Sequence, residues 1–250
     1  MTPQDALGAP PVRHGSRPAD TPRRPGRAVL PIAAGITAAL VAADLAIRGF
    51  HHYVEPVPAL RWAFNVGAEA NLATWWNSTL LLSVAGTALV AAVLSGRDAR
   101  PGRRSWLALA AAAAWLSIDE TVQVHERLAG PGRAWARELG LALPTYAWVL
   151  PGAALALTGT LCAVLWARRL PPDLRRGLLG ALAAYLTGAL VVESFNGWAR
   201  RQGADVVYAV GTSVEEALEM GACLLALAVL ARFVLLGRDA HTGRVVVRLR

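Results

Sequence analysis

Apolar residues run along this chain in long blocks, separated by short segments rich in arginine, proline or acid. A helix needs about 20 mainly apolar residues to cross the hydrocarbon core of a bilayer. Six stretches reach or approach that length: residues 29–50, 74–94, 105–125, 146–167, 177–198 and 212–236. The pattern predicts an all-α integral membrane bundle of six transmembrane helices, residues 28–237. A tail at residues 1–27 and a basic C-terminal tail at residues 238–250 flank it. In the third stretch the purely apolar run WLALAAAAAWLSI stops at Ile118, too short to cross alone. That span must carry Asp119 and Glu120 with it.

Composition agrees with lipid as the solvent. Hydrophobic residues make up 55% of the chain and charged ones only 17%, a poor mixture for a water-facing surface. The net charge of +8 would suggest nucleic acid in a soluble domain, but every basic residue is arginine and the arginines follow the loops. No nucleic-acid partner is expected; the absence of lysine reflects GC-rich coding and carries no function. Cys162 and Cys223 both lie in apolar runs, which supports neither a disulfide framework nor a thiolate metal site. The first 27 residues are rich in Pro, Arg and Gly without periodicity, the signature of a disordered tail, and the apolar run after them is too long for a cleaved signal.

Arginine also orients the bundle, because cytoplasmic loops carry the positive excess. The N-terminal tail, the loops after the second and fourth spans and the C-terminal end hold 18 of the 25 arginines. Both termini are therefore expected in the cytoplasm of an inner (plasma) membrane protein. Trp62, Trp75, Trp76, Trp135, Trp148 and Trp198 then fall near the outer interface, and Trp106 and Trp166 near the inner one. Small-residue seams such as GALAAYLTGAL allow close helix packing. The alternating tail GRVVVRLR reads as a solvated basic end, with strand pairing or contact with anionic lipid as alternatives.

Ionisable groups at membrane depth are costly and normally face a bundle interior. Here they gather at one end: Asp44 in the first span, Glu69 before the second, Asp119, Glu120, His125 and Glu126 closing the third, Glu193 in the fifth, and Glu215, Glu216 and Glu219 opening the sixth. Asp119, Gln123 and Glu126 share a helical stripe, and Glu193 and Asn196 form an i, i+3 pair. So many carboxylates in one region must bind cations, pair with arginine or hold protons. His125 adds a nitrogen donor suited to divalent metals. Plainer readings stand beside these. Asp44 with Arg48 at i, i+4 fits a snorkelling ion pair, and Glu215 with Glu216 fits a helix N-terminus favoured by the dipole. His51 and His52 fit a solvated loop, Cys162, Cys223 and Tyr185 fit bundle packing, and Asn77-Ser78-Thr79 fits a structural stretch. Nucleotide loops, GxSxG elbows, HExxH and CxxC pairs are absent from the sequence.

The segments E-A-N-L-A-T-W-W at residues 69–76, S-I-D-E-T-V-Q-V-H-E-R-L at 117–128 and V-E-E-A-L-E-M at 214–220 resemble an uncharacterised family of bacterial multi-pass membrane proteins. The resemblance spans helices two to six and implies a shared site at one leaflet, without an assigned activity. A weaker similarity, through Glu69-x-Asn71 and the acid-plus-histidine cluster, is to the alkaline ceramidase superfamily of membrane hydrolases. Those enzymes hold zinc on three histidines, where this chain has His125 alone in a helical stretch.

The leading expectation is an outward-facing site in which Asp119, Glu120, His125, Glu193, Glu216 and Glu219 bind a divalent metal or other cation. The metal would activate water against a membrane lipid or other amphiphile, with Glu69 or Glu126 as general base. A cation or proton transporter is the alternative, and a non-catalytic scaffold subunit the third. Transport needs a polar path to the other face, which the apolar inner halves of the second and fourth spans do not offer. A scaffold requires the acids to pair with Arg48, Arg127, Arg200 and Arg201.

Overall fold

The computed structural model describes residues 26–96, 101–238 and 245–249. Most of the expected N-terminal tail and part of the C-terminal one lie outside these residues. Helix α1 (Gly26–Tyr53) is followed by the short α2 (Pro58–Ala63), then α3 (Leu72–Leu94) and α4 (Arg103–Val122). A 3-10 turn (His125–Leu128) leads into α5 (Ala129–Glu138). Helix α6 (Val149–Ala167) precedes α7 (Pro172–Leu186), which runs through a π-helical segment (Thr187–Val192) into α8 (Glu193–Arg201). The long α9 (Asp205–Phe233) completes an all-helical body.

Four of these helices are long and apolar enough to cross a membrane, the α7–α8 rod counting as one, and a fifth span results if α4 and its bent continuation are taken together. The sixth expected span is α9. Its 29 residues reach about 43 Å at 1.5 Å per residue. Length therefore does not disqualify it; its acids do. Helix α9 is the central element, packed on α1, α3, α7 and α8, so Glu215 and Glu219 are buried against protein. Helix α6, apolar throughout, sits at the periphery with Leu155, Leu157 and Leu161 exposed. The helix with most charge is innermost and an apolar one faces outward, the arrangement lipid favours.

Several expected boundaries move. Helix α4 stops at Val122, not at His125, because Gln123 adopts a left-handed conformation (φ 55°) that ends it. The chain then bends by 80° into the 3-10 turn and α5. Helix α9 begins at Asp205, well ahead of residue 212, so Glu215 and Glu216 lie deep in the helix and cannot owe their place to its N-terminus. It ends at Phe233, and Val234–Arg238 instead pairs antiparallel with Val245–Leu249. The alternating tail thus forms a strand. Cys223 is buried as expected, but Cys162 is exposed on α6.

Small residues let α3 and α4 approach along their length, with Ala85, Ala88, Ala92 and Ala113 buried. At the end remote from the acids, a core of Val84, Ala88, Trp106, Leu174, Leu178 and Leu230 closes the bundle. Trp106, expected at an interface, is fully buried there, edge-on to Trp166.

Candidate functional site: a carboxylate cluster at one end of the bundle

The break after α4 builds the first part of the site. By ending the helix, Gln123 lets the chain fold back so that Asp119 receives two bonds from one residue. The His125 backbone N–H donates to Oδ1 at 2.8 Å, and the His125 ring meets Oδ2 through Nδ1 at 2.9 Å. An ionised carboxylate only accepts, so Nδ1 carries the proton, and in the neutral ring Nε2 keeps its lone pair. The expected stripe of Asp119, Gln123 and Glu126 on one continuous helix is therefore corrected. Asp119 and His125 form a pair across the break, while Glu126 lies exposed at the rim.

From His125 the contacts continue inward. Its ring stands edge-on to Trp148 at 4.7 Å, and Trp148 Nε1 donates to Glu193 Oε1 at 3.2 Å. Glu193 faces Glu215, whose Oε2 accepts from Asn196 Nδ2 at 2.7 Å. Asn196 thus serves Glu215 across the helix interface rather than its i−3 neighbour Glu193. The π-helical segment sets this geometry, because its extra residue per turn rotates α8 relative to α7. Gly188 within it lies so close to α9 that a Cβ would sit 3.0 Å from both the Glu215 carbonyl and Glu219 Cγ.

Deeper in the bundle, Glu120 from α4 and Glu216 and Glu219 from α9 influence one another electrostatically, close to Tyr185 and Cys223. Asn77 of α3 is fully buried among them. Its Oδ1 accepts from Cys223 Sγ at 3.9 Å, while its Nδ2, on the side of Glu120 and Glu219, has no partner in bonding range. Glu69 approaches from the loop before α3, near Gln123, Glu126 and His125. Burial pushes its carboxyl above the ordinary glutamate range, opposed by Gln123 and reinforced by Glu126. Its neighbour Asn71 caps α3 by accepting from Ala73 and Thr74, and holds the loop through three backbone carbonyls.

Asp44 stands apart. It is fully buried and accepts from Arg48 (2.9 Å), Arg61 (2.8 Å) and Ser213 (2.9 Å). The Arg48 pairing was legible at i, i+4; Arg61 and Ser213 arrive from distant sequence. Those are the only arginine–carboxylate pairs among the described residues. His51 and His52, expected in a solvated loop, lie instead in the last turn of α1, where His51 accepts from the Val57 N–H through Nδ1.

All six residues expected as cation ligands, and Glu69, thus lie at one end of the bundle, with Glu126 at its edge. Among the described residues, however, no three His, Cys, Asp or Glu side chains stand ready as a metal-holding group. Asn77 and Trp148 were not foreseen as members of the site, and Glu215 was counted in the acid cluster but not among the expected ligands. A lone amide in the apolar run of α3 was the available signal for Asn77. An open apolar groove of about 420 Å³, lined by Val192, Phe195, Val210 and Val214, runs along α8 and α9.

These features define a class: a helical bundle with four or five helices suited to span a membrane and an acid-rich interior at one end. The chain belongs to the family described as a domain of unknown function (DUF8692), which matches residues 33–233 and so covers the bundle from α1 to the end of α9. No curated protein and no solved structure matches it.

Proposed function

We propose that this is a six-span membrane protein with both termini cytoplasmic, whose carboxylate and histidine cluster opens to the opposite leaflet and binds a divalent metal or other cation. One observation carries the reading. Glu69, Asp119, Glu120, Glu193, Glu215, Glu216 and Glu219 gather in one region, and none of them is paired with an arginine among the described residues. Carboxyls so placed need a cation or protons to coexist. The scaffold reading required arginine partners, and Arg200 and Arg201 are directed instead to the Tyr208 ring and the Leu143 carbonyl.

In this reading His125 presents Nε2 to the cation while Asp119 fixes the ring from behind, the usual division between a ligand and the group that orients it. Glu120, Glu193, Glu216 and Glu219 would supply oxygens to it. Hydrolysis of a lipid or amphiphile is the chemistry that suits it, with Glu69 or Glu126 as base to a metal-activated water. The apolar groove along α8 and α9 suits an acyl tail. The weak similarity to alkaline ceramidases belongs to the same proposal. Transport is less well supported, because the Trp106 core closes the opposite end.

Metal analysis of the detergent-purified protein, after incubation with Zn²⁺ or Mn²⁺ and desalting, tests this. The wild type should retain about one equivalent, and an Asp119→Asn, Glu193→Gln variant substantially less. Negligible metal in both samples would reject it.

A further inference from the structure

A second, oppositely charged feature lies beside the carboxylate cluster. Helix α5 leaves α4 at 80°, so it runs across the bundle end rather than along it. Its attachment is tight: a Cβ on Gly132 would sit 1.8 Å from the Ala147 carbonyl oxygen, which leaves glycine as the residue that lets α5 dock on the segment entering α6. Gly132 and Ala136 form the buried face. One step round the helix, Arg133 and Arg137 stand at i, i+4 on a shared, exposed face. Across from them Arg201, at the end of α8, is anchored by donating from Nη1 to the Leu143 carbonyl at 2.6 Å. Together they border a hollow of about 580 Å³ lined also by Gly130, Leu143 and Ala147.

None of these three arginines has a carboxylate partner among the described residues. Three guanidinium groups round one concavity suit an oxyanion, above all a phosphate, whose oxygens accept bidentate bonds. The surroundings identify which phosphate. Trp135 and Leu139 project from α5 on a different face from the arginines, and both are exposed, as is Leu141 just beyond. A helix lying across the end of a bundle with arginines on one face and exposed Trp and Leu on another is suited to the boundary between headgroups and acyl chains.

We propose that Arg133, Arg137 and Arg201 bind the phosphate of an anionic lipid headgroup. The hollow adjoins the acidic site: Ala147 lines the one and Trp148 the other, and α8 begins at Glu193 and ends at Arg201. A lipid held there brings its headgroup to the mouth of the carboxylate cluster. This deepens the functional reading by naming an anionic phospholipid as the amphiphile, yet the lipid site stands on its own residues.

Native mass spectrometry of the full chain in detergent provides the test, with short-chain phosphatidylglycerol, short-chain phosphatidylcholine and inorganic phosphate as separate probes. Phosphatidylglycerol should be retained in preference to phosphatidylcholine. An Arg133→Gln, Arg137→Gln variant should weaken that binding about tenfold or more, while an Arg103→Gln, Arg104→Gln variant at the start of α4 leaves it unchanged. Equal losses in both variants would mean diffuse attraction and overturn the proposal. No loss in the α5 variant, or displacement of the lipid by equimolar inorganic phosphate, would also overturn it. Metal content measured on the same samples separates this outcome from failure of the cation site, since neither variant alters a carboxyl.

Discussion

Asp44 and the carboxylate cluster pose the same physical problem, an acid inside an apolar bundle, and solve it in opposite ways. Asp44 has three donors, two of them arginines, and presents no unsatisfied oxygen. The cluster has an amide on Glu215, an indole on Glu193 and an imidazole on Asp119, all of them neutral or weakly basic, and no arginine among the described residues. A buried acid that already holds its counter-charge is part of the architecture. On the proposed reading, acids that lack one take protons or a cation from outside. Buried charge would then mark function only where the partner is missing.

The contrast is open to direct attack. Replacing Asp44 by Ala removes the counter-charge of Arg48 and Arg61 and should lower stability by about 3 kcal/mol, read from unfolding in detergent. The loss should not depend on added metal. Arg61→Gln should cost less, about 1 kcal/mol, because Arg48 and Ser213 remain on the carboxylate. Gly132→Ala should destabilise by about 1–3 kcal/mol through collision with the Ala147 carbonyl, and should shift Trp148 fluorescence as α5 detaches. Asn196→Ala should cost about 1 kcal/mol by stripping Glu215 of its buried donor.

The smallest effect expected is a pH dependence at Glu69. Its carboxyl is raised in the folded protein, so the native state holds a proton that the unfolded chain releases. Stability from this group is present below the ordinary glutamate range and declines as the pH rises through the raised folded value. Glu69→Gln should remove that part of the decline, making the unfolding temperature less sensitive to pH on the acid side of neutrality. An unchanged profile would place the titration elsewhere.

Much of the helical framework was legible because hydrophobic length is a strong signal. The four apolar spans and the gathering of acids at one end follow from it directly. What escaped the sequence were events that depend on a single backbone conformation or on distant contacts. Gln123 carries no marker of left-handed geometry, yet it breaks α4 and turns an expected stripe into the Asp119–His125 pair. The π-helical segment TGALVV reads as ordinary apolar helix, and only packing reveals that it redirects Asn196 to Glu215. Glu215 looked like a helix start because Thr212 and Ser213 precede it. In fact Ser213 donates to Asp44, and the helix begins further back.

A cation titration followed by thermal unfolding bears most directly on the central distinction. The purified protein and a Glu120→Gln, Glu219→Gln variant would be heated in detergent over increasing Mn²⁺. The wild type should gain about 2.7 kcal/mol at one hundred times its dissociation constant. The variant should start more stable, relieved of like-charge repulsion, and respond little. A wild type indifferent to divalent cations, with a variant no more stable at the outset, would contradict the claim that these acids wait for an external counter-charge.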